Sequence, residues 1–328
     1  MEQAALQSGM TVLEIRSGGL NAAMIAEVVG ETGHVLSVDI DPDVISWAKM
    51  RLEQAGYCHR VRTVVADGGV PDAGPFDAII VTVGAWDIAP AWLNQLVPDG
   101  TLVLPLIMNG VTRTIGFRRT GHRLISTSTE VAGFVPMQGA GRHAEHVHAL
   151  ADANGRNVNL RFDADPPTTL HLLDGLLTSE RTEAWSQATI GREESFADLH
   201  LWFAWFLPGF CRLAPGGRGG AAGERSSWFS YGVVRDAGLA YLVVRPALDS
   251  GGAAVELGAR AYGSVWPSSA SPTAPPPPRS PAGPSHPEQR LLRSFTKQDR
   301  CVTRHCQVSV RWRWRERPRP GRPPPSRS

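Results

Sequence analysis

Short apolar runs alternate with helix-like stretches from Thr11 to Leu106, and this rhythm constrains the fold more tightly than anything else in the 328-residue chain. Thr11-Val12-Leu13-Glu14-Ile15-Arg16 reads as a strand entering a Ser17-Gly18-Gly19 turn. The following helix presents Ala22, Ala23, Ile25, Ala26, Val28 and Val29, and Gly30 stops it. Residues 35–39 form a second strand. Asp41-Pro42 then gives an N-cap and a first-turn proline to a helix with Val44, Ile45, Ala48, Leu52 and Ala55 at helical spacing. Residues 61–66 and 76–83 are further strands, the latter apolar on both faces and so placed inside a parallel sheet. A helix over 91–96, a turn at Pro98-Asp99-Gly100 and a strand over 101–106 complete a doubly wound, mostly parallel α/β sheet.

After Asn109 the pattern changes. Residues 112–118 and 123–131 alternate apolar with polar around Thr120-Gly121, as an antiparallel hairpin at the edge of that sheet would. The expected domains are 1–142, a smaller β-rich unit over 155–263 and a Pro/Arg-rich tail over 264–328. The second unit has strands at 157–162, 231–235, 240–245 and 254–257, while 199–206 fits helix or strand equally. The tail shows no periodic apolar face, so it buries too little to offset its ordering entropy and is expected to be disordered. The formal charge of +2 conceals its bias: residues 265–328 hold 13 Lys and Arg against 3 Asp and Glu, leaving an acidic body.

Several classes are excluded early. The most apolar stretch, 199–210, contains His200 and Pro208 and reaches about half of the roughly 20 residues of a membrane helix, so no membrane partner is expected. Cys58, Cys211, Cys301 and Cys306 follow no repeating spacing, and no secretory leader pattern opens the chain, which together read as reduced thiols in a cytoplasmic protein. His143, Glu145, His146 and His148 match no zinc spacing and are read as a polar loop, and Cys301, His305 and Cys306 fare no better, so no metal is expected. Arg residues around Trp312 and Trp314 could contact phosphate and stack on bases, but nucleic acid is not among the expected partners.

The chemistry concentrates at strand ends. Glu14 to Gly19 lies where the first strand turns into the first helix, the place where a doubly wound fold binds an adenosine-containing cofactor. Asp39 follows Gly18 by 21 residues and ends the second strand, where a carboxylate accepts both ribose hydroxyls. Asp67 ends the third, where a carboxylate accepts from the adenine amino group while the Gly68 backbone lies along the ring. The dinucleotide pattern Gly-x-Gly-x-x-Gly is not met, which disfavours a nicotinamide-dependent oxidoreductase.

In this setting the chain resembles the protein-L-isoaspartate O-methyltransferase family, class I enzymes that use S-adenosylmethionine. The words that carry the resemblance are Val12-Leu13-Glu14-Ile15, Ala66-Asp67-Gly68-Gly69, Pro75-Phe76-Asp77-Ala78-Ile79-Ile80-Val81, Ile88-Ala89-Pro90-Ala91-Trp92-Leu93-Asn94-Gln95-Leu96-Val97-Pro98-Asp99-Gly100 and Phe134-Val135-Pro136-Met137. Gly18-Gly19-x-Asn21, Val83-Gly84-Ala85-Trp86-Asp87 and the extra unit containing Trp202 to Cys211 resemble the actinobacterial branch associated with lanthipeptide clusters. The resemblance implies a Rossmann-like methyltransferase sheet, S-adenosylmethionine as cofactor, and a peptide or protein substrate with an Asp-derived carboxylate. It places Glu14, Arg16, Ser17, Gly18, Gly19, Asn21, Asp39, Ile40, Asp67 and Gly68 around the cofactor. Thr82, Val83 and Gly84, with Pro136 from the loop 135–138, are placed around the methyl group and acceptor.

Two departures follow from the same comparison. The family carries glycine at the position of Arg16, so obstruction of the methionine portion is expected there. It also carries several dozen residues before the first strand, where this chain has ten, so the domain is read as N-terminally short and its activity as impaired. The alternative is a non-catalytic nucleoside- or peptide-binding relic of the fold.

Overall fold

The computed structural model describes residues 1–16, 18–68, 73–191, 193–216, 230–247 and 254–263. Ser17 and the tail over 264–328, with Cys301, His305, Cys306, Trp312 and Trp314, lie outside the described residues. Internal contacts define two units, 1–105 with 114–141, and 106–113 with the described residues from 142 onward.

The first unit is built from β1 (Thr11–Ile15), α1 (Leu20–Val29), β2 (His34–Asp39), α2 (Pro42–Gln54), β3 (Val61–Val65), β4 (Phe76–Val81), α3 (Pro90–Gln95), β5 (Leu96–Met108), β6 (Val111–Thr120) and β7 (Arg123–Val131), except that the end of β5 and the start of β6, within 106–113, count with the second. Its seven-stranded sheet runs β3-β2-β1-β4-β5-β6-β7. The five strands from β3 to β5 pair in parallel. β6 and β7 follow through the two-residue connections Asn109-Gly110 and Gly121-His122, so short that only antiparallel neighbours can be joined. Asn109 at φ 49° and Gly110 at φ 82° supply the paired positive angles that a tight hairpin turn requires. The result is a Rossmann-like, mostly parallel sheet with an antiparallel edge.

Local chemistry and packing explain α2 and α1. Asp41 accepts a hydrogen bond from the Asp43 N–H at 2.9 Å and Pro42 occupies the first turn of α2. α1 turns Ala22, Ile25, Ala26 and Val29 onto Val12, Val35, Val61, Ala78 and Ile80 of the sheet. Full burial of each larger aliphatic side chain contributes about 1.5–3 kcal/mol. The turn expected at Pro98-Asp99-Gly100 is instead a bulge inside β5: Phe76 pairs with Leu96 and Ala78 with Thr101, and Asp99 absorbs the extra length at φ 61°.

The second unit contains β8 (His146–Ala151), β9 (Asn157–Phe162), β10 (Arg181–Gly191), α4 (Ala197–Phe206), β11 (Phe210–Gly216), β12 (Ser230–Arg235), β13 (Gly238–Pro246) and β14 (Ala254–Tyr262). They form one antiparallel sheet in the order β10-β14-β13-β12-β11-β9-β8. Its core holds Leu150, Leu160, Phe162, Leu173, Leu213, Val234 and Leu239. Residues 146–148, read as polar loop, belong to β8, an edge strand in which only Leu150 is buried; His146 is exposed and His148 partly buried on the same face as Leu150. His143 meets the Asp163 carbonyl at 2.8 Å, and Glu145 accepts from Arg161 at 2.7 Å and from Arg212. The ambiguous segment 199–206 is helical, packed through Ala204 against Val111 and Phe210. Among the described residues no helix is long and apolar enough to cross a membrane, and no group of three or more His, Cys, Asp or Glu could hold a metal ion.

α4 carries a pH-sensitive element. His200 lies between the rings of Phe196, 5.9 Å away, and Tyr231, 4.2 Å away. Burial, and secondarily Arg113, lower its pKa from 6.5 to about 4. Between those values the unfolded chain binds a proton that the folded one refuses. The stability contributed by neutral His200 is therefore complete above pH 6.5 and lost as pH falls toward 4. Urea unfolding followed from pH 7 to 4 should show this loss, and His200→Gln should flatten it. An unchanged slope in that variant would remove His200 from the account.

Candidate active site

The parallel strands of the first unit end level with one another. Ile15 of β1 lies opposite Val38 of β2 and Val81 of β4, and Asp39 of β2 lies opposite Val65 of β3. Strand order reverses between β1 and β4, and a crevice forms beyond the carboxyl ends at such a switch point. A shallow open cleft occupies it, lined by Ile15, Arg16, Val38, Asp39, Ile40, Ala66, Asp67, Gly68, Val83, Met137 and Gln138.

Backbone geometry builds the wall after β1. Arg16 stands in the left-handed region at φ 68°. Its N–H donates to the Val38 carbonyl at 2.7 Å, and its own carbonyl accepts from the Thr82 hydroxyl. Gly19, at φ 95°, lets α1 start close to α2, for a Cβ there would come within 3.2 Å of Ala48 Cα. Gly18 differs. Its φ is not left-handed and a Cβ on it would meet nothing within 4 Å, so open space faces its backbone. Beneath the turn, the fully buried Glu14 carboxylate accepts from Asn21 Nδ2 at 2.5 Å and from Ser37 Oγ at 2.8 Å. Glu14 and Asn21 thus tie β1, α1 and β2 together and stand outside the cleft lining.

The two aspartates are held differently. Asp39 is 3% exposed, and one of its oxygens accepts from the Asp41 N–H at 2.9 Å. Asp67 accepts from the Ala140 N–H at 2.7 Å, and a Cβ on Gly139 would overlap its carboxylate. Gly68, at φ 69°, receives the Trp92 indole N–H on its carbonyl. On the far side the loops after β4 and β7 are joined: the Gly84 N–H donates to Val135 O, and the Met137 N–H to Gly84 O, both at 2.8 Å. Gly84 and Pro136 therefore bridge as a minimal parallel pair, with Val83, Met137 and Gln138 toward the cleft.

Residues 1–142 match the family model described as protein-L-isoaspartate(D-aspartate) O-methyltransferase. The likeness to that family is therefore one of the N-terminal part, less than half of the 328-residue chain. Among curated members, the protein-L-isoaspartate O-methyltransferase of Hyperthermus butylicus is 42% identical over 115 residues, 32% of this chain and 48% of its own length. That of Staphylothermus marinus is 37% identical over 142 residues, 40% of this chain and 63% of its own. The chain thus spans less than two thirds of the length of each of these curated relatives. A solved protein-L-isoaspartate O-methyltransferase aligns with 54% of this chain and 70% of its own at 24% identity and a TM-score of 0.41.

The words shared with the protein-L-isoaspartate O-methyltransferase family divide between scaffold and cleft. Asp77 accepts from the Thr11 N–H at 2.8 Å and so fixes the start of β1. Thr82 commits its hydroxyl to the Arg16 carbonyl, and Gly84 and Pro136 hold one another, which leaves Val83 as the member of that group lining the cleft. Ser37, Trp92, Gly139 and Ala140 were not singled out from the sequence. Trp92 was visible inside a family word. Ser37 and the Gly139-Ala140 peptide act through contacts whose partners are 23 and 73 positions away, respectively.

Proposed function

We propose that residues 1–142 carry an S-adenosylmethionine-dependent O-methyltransferase that acts on an Asp-derived carboxylate of a peptide or protein in the cytoplasm. The observation that carries this reading is the convergence of Asp39 and Asp67 on one cleft that Arg16 also lines. Asp39 suits a ribose diol, the Asp67-Gly68 turn suits an adenine edge, and the open backbone at Gly18 suits the linkage to the methionine portion. When bound, the cofactor supplies a methyl group made electrophilic by its sulfonium. The chain positions and desolvates: Val83, Met137 and Gln138 wall the acceptor side, and the Gly84–Pro136 bridge keeps those walls together. An acceptor carboxylate is ionised at neutral pH, so no general base is needed. The lanthipeptide-associated resemblance favours a modified peptide as acceptor, with Arg16 reducing the rate.

The test offers methyl-labelled S-adenosylmethionine with an isoaspartyl peptide, its normal aspartyl counterpart and a thioether-ringed peptide containing Asp. Base-labile label on the first or third is expected. Binding of S-adenosylhomocysteine with no label on any acceptor would favour the relic, which Arg16 on the cleft wall supports as the second reading. Absence of both binding and label would end the methyltransferase reading.

A further inference from the structure

We infer that Trp92 and the Gly139-Ala140 peptide are positioning groups for base recognition, holding the Asp67-Gly68 turn from two sides so that its carboxylate meets an adenine amino group. This rests on the proposed S-adenosylmethionine site. Two hydrogen bonds converge on neighbouring residues of the cleft wall: the indole N–H of Trp92 reaches the Gly68 carbonyl, and the Ala140 N–H reaches Asp67 Oδ2 at 2.7 Å. Neither donor is a member of the turn it holds. Trp92 is 1% exposed and belongs to α3, so its ring is fixed by packing rather than by a ligand. Its Cζ2 lies 4.0 Å from where a Gly68 Cβ would be, so the ring underlies the turn as well as bonding to it.

The opposite side is equally constrained. Gly139 stands at φ 68°, and any side chain on it would overlap the Asp67 carboxylate. The bond from Ala140 engages one carboxylate oxygen and leaves Asp67 Oδ1 to select the base. A site that hydrogen-bonds one amino group rejects an analogue carrying a carbonyl there, because acceptor then faces acceptor. Orientation of Asp67 is therefore what separates adenine from hypoxanthine.

The experiment titrates the full chain with S-adenosylhomocysteine and with S-inosylhomocysteine, in the wild type and in Trp92→Phe, Gly139→Ala and Asp39→Ala, with thermal midpoints measured alongside. The wild type should prefer the adenosyl ligand by at least about thirtyfold. Trp92→Phe keeps an aromatic ring and loses the donor, and should cut that preference at least fivefold. Gly139→Ala, which acts from the other side, should do the same and decides the matter if Trp92→Phe does not fold. Asp39→Ala should weaken both ligands alike and leave the preference intact. Equal weakening of both ligands by Trp92→Phe and Gly139→Ala, or an unchanged preference, would reduce these groups to scaffold and overturn the inference. A wild type that binds both ligands equally would overturn it while leaving the cofactor site standing; one that binds neither would overturn both.

Discussion

Asp39→Ala should weaken S-adenosylhomocysteine binding at least tenfold. The carboxylate is almost wholly buried yet lines the cleft, and its donor among the described residues, the Asp41 N–H, engages a single oxygen. Hydrogen bonds to charged groups contribute about 1.5–3 kcal/mol, and 1.4 kcal/mol is a factor of ten in affinity. A ribose diol deprived of its acceptor in a partly dry site loses that contribution and gains no solvent partner. The substitution also leaves the Asp41 N–H without its acceptor next to the start of α2, so some fall in thermal stability should accompany it. Asp39→Asn retains an oxygen for Asp41 and isolates the ligand effect. Calorimetric titration of both variants checks the expectation. Unchanged affinity in both would place the ligand elsewhere and remove the main support for a methyltransferase.

Arg16→Gly should produce two gains at once. Arg16 is a non-glycine residue held at φ 68°, a conformation that costs an L-residue about 1–2 kcal/mol and glycine nothing. The greater freedom of glycine in the unfolded chain offsets part of this, so a net stabilisation of about 0.5–1 kcal/mol is expected in denaturant unfolding. Independently, the side chain lines the cleft where the backbone should approach the methionine portion. Its removal should strengthen S-adenosylhomocysteine binding tenfold or more, equivalent to at least about 1.4 kcal/mol. The two gains are separable, since the first needs no ligand. Weaker binding in the variant, most pronounced at low salt, would mean that the guanidinium pairs with the ligand carboxylate, and the expectation of impaired activity would then be withdrawn.

The first sheet was legible because its signals are local. Asp41-Pro42 caps α2 on the spot, and the apolar run ending at Val83 could only be an interior parallel strand. Asp39 and Asp67 were legible for the same reason: strand ends of a doubly wound sheet converge wherever they fall in the sequence. What escaped depends on distant pairing. β8 and β10 are edge strands, satisfied by one neighbour and mostly exposed, so neither shows an apolar pattern. The reading of Glu14 and Asn21 as cofactor ligands followed their place beside the turn, whereas their side chains face each other. Nothing in the neighbourhood of Asp67 announces Ala140, because a backbone N–H has no residue type to recognise.

The Gly84–Pro136 bridge bears on how such a domain changes over generations. Its two segments are fastened by peptide groups, from the Gly84 N–H to Val135 and from the Met137 N–H back to Gly84. Side chains carry none of those bonds. Met137 and Gln138 can therefore be exchanged with little effect on the architecture that presents them, whereas Val83, 1% exposed, is constrained by packing. On the proposed function, acceptor preference would thus be a character free to drift by single substitutions, while the carboxylates across the cleft would stay committed to one nucleoside.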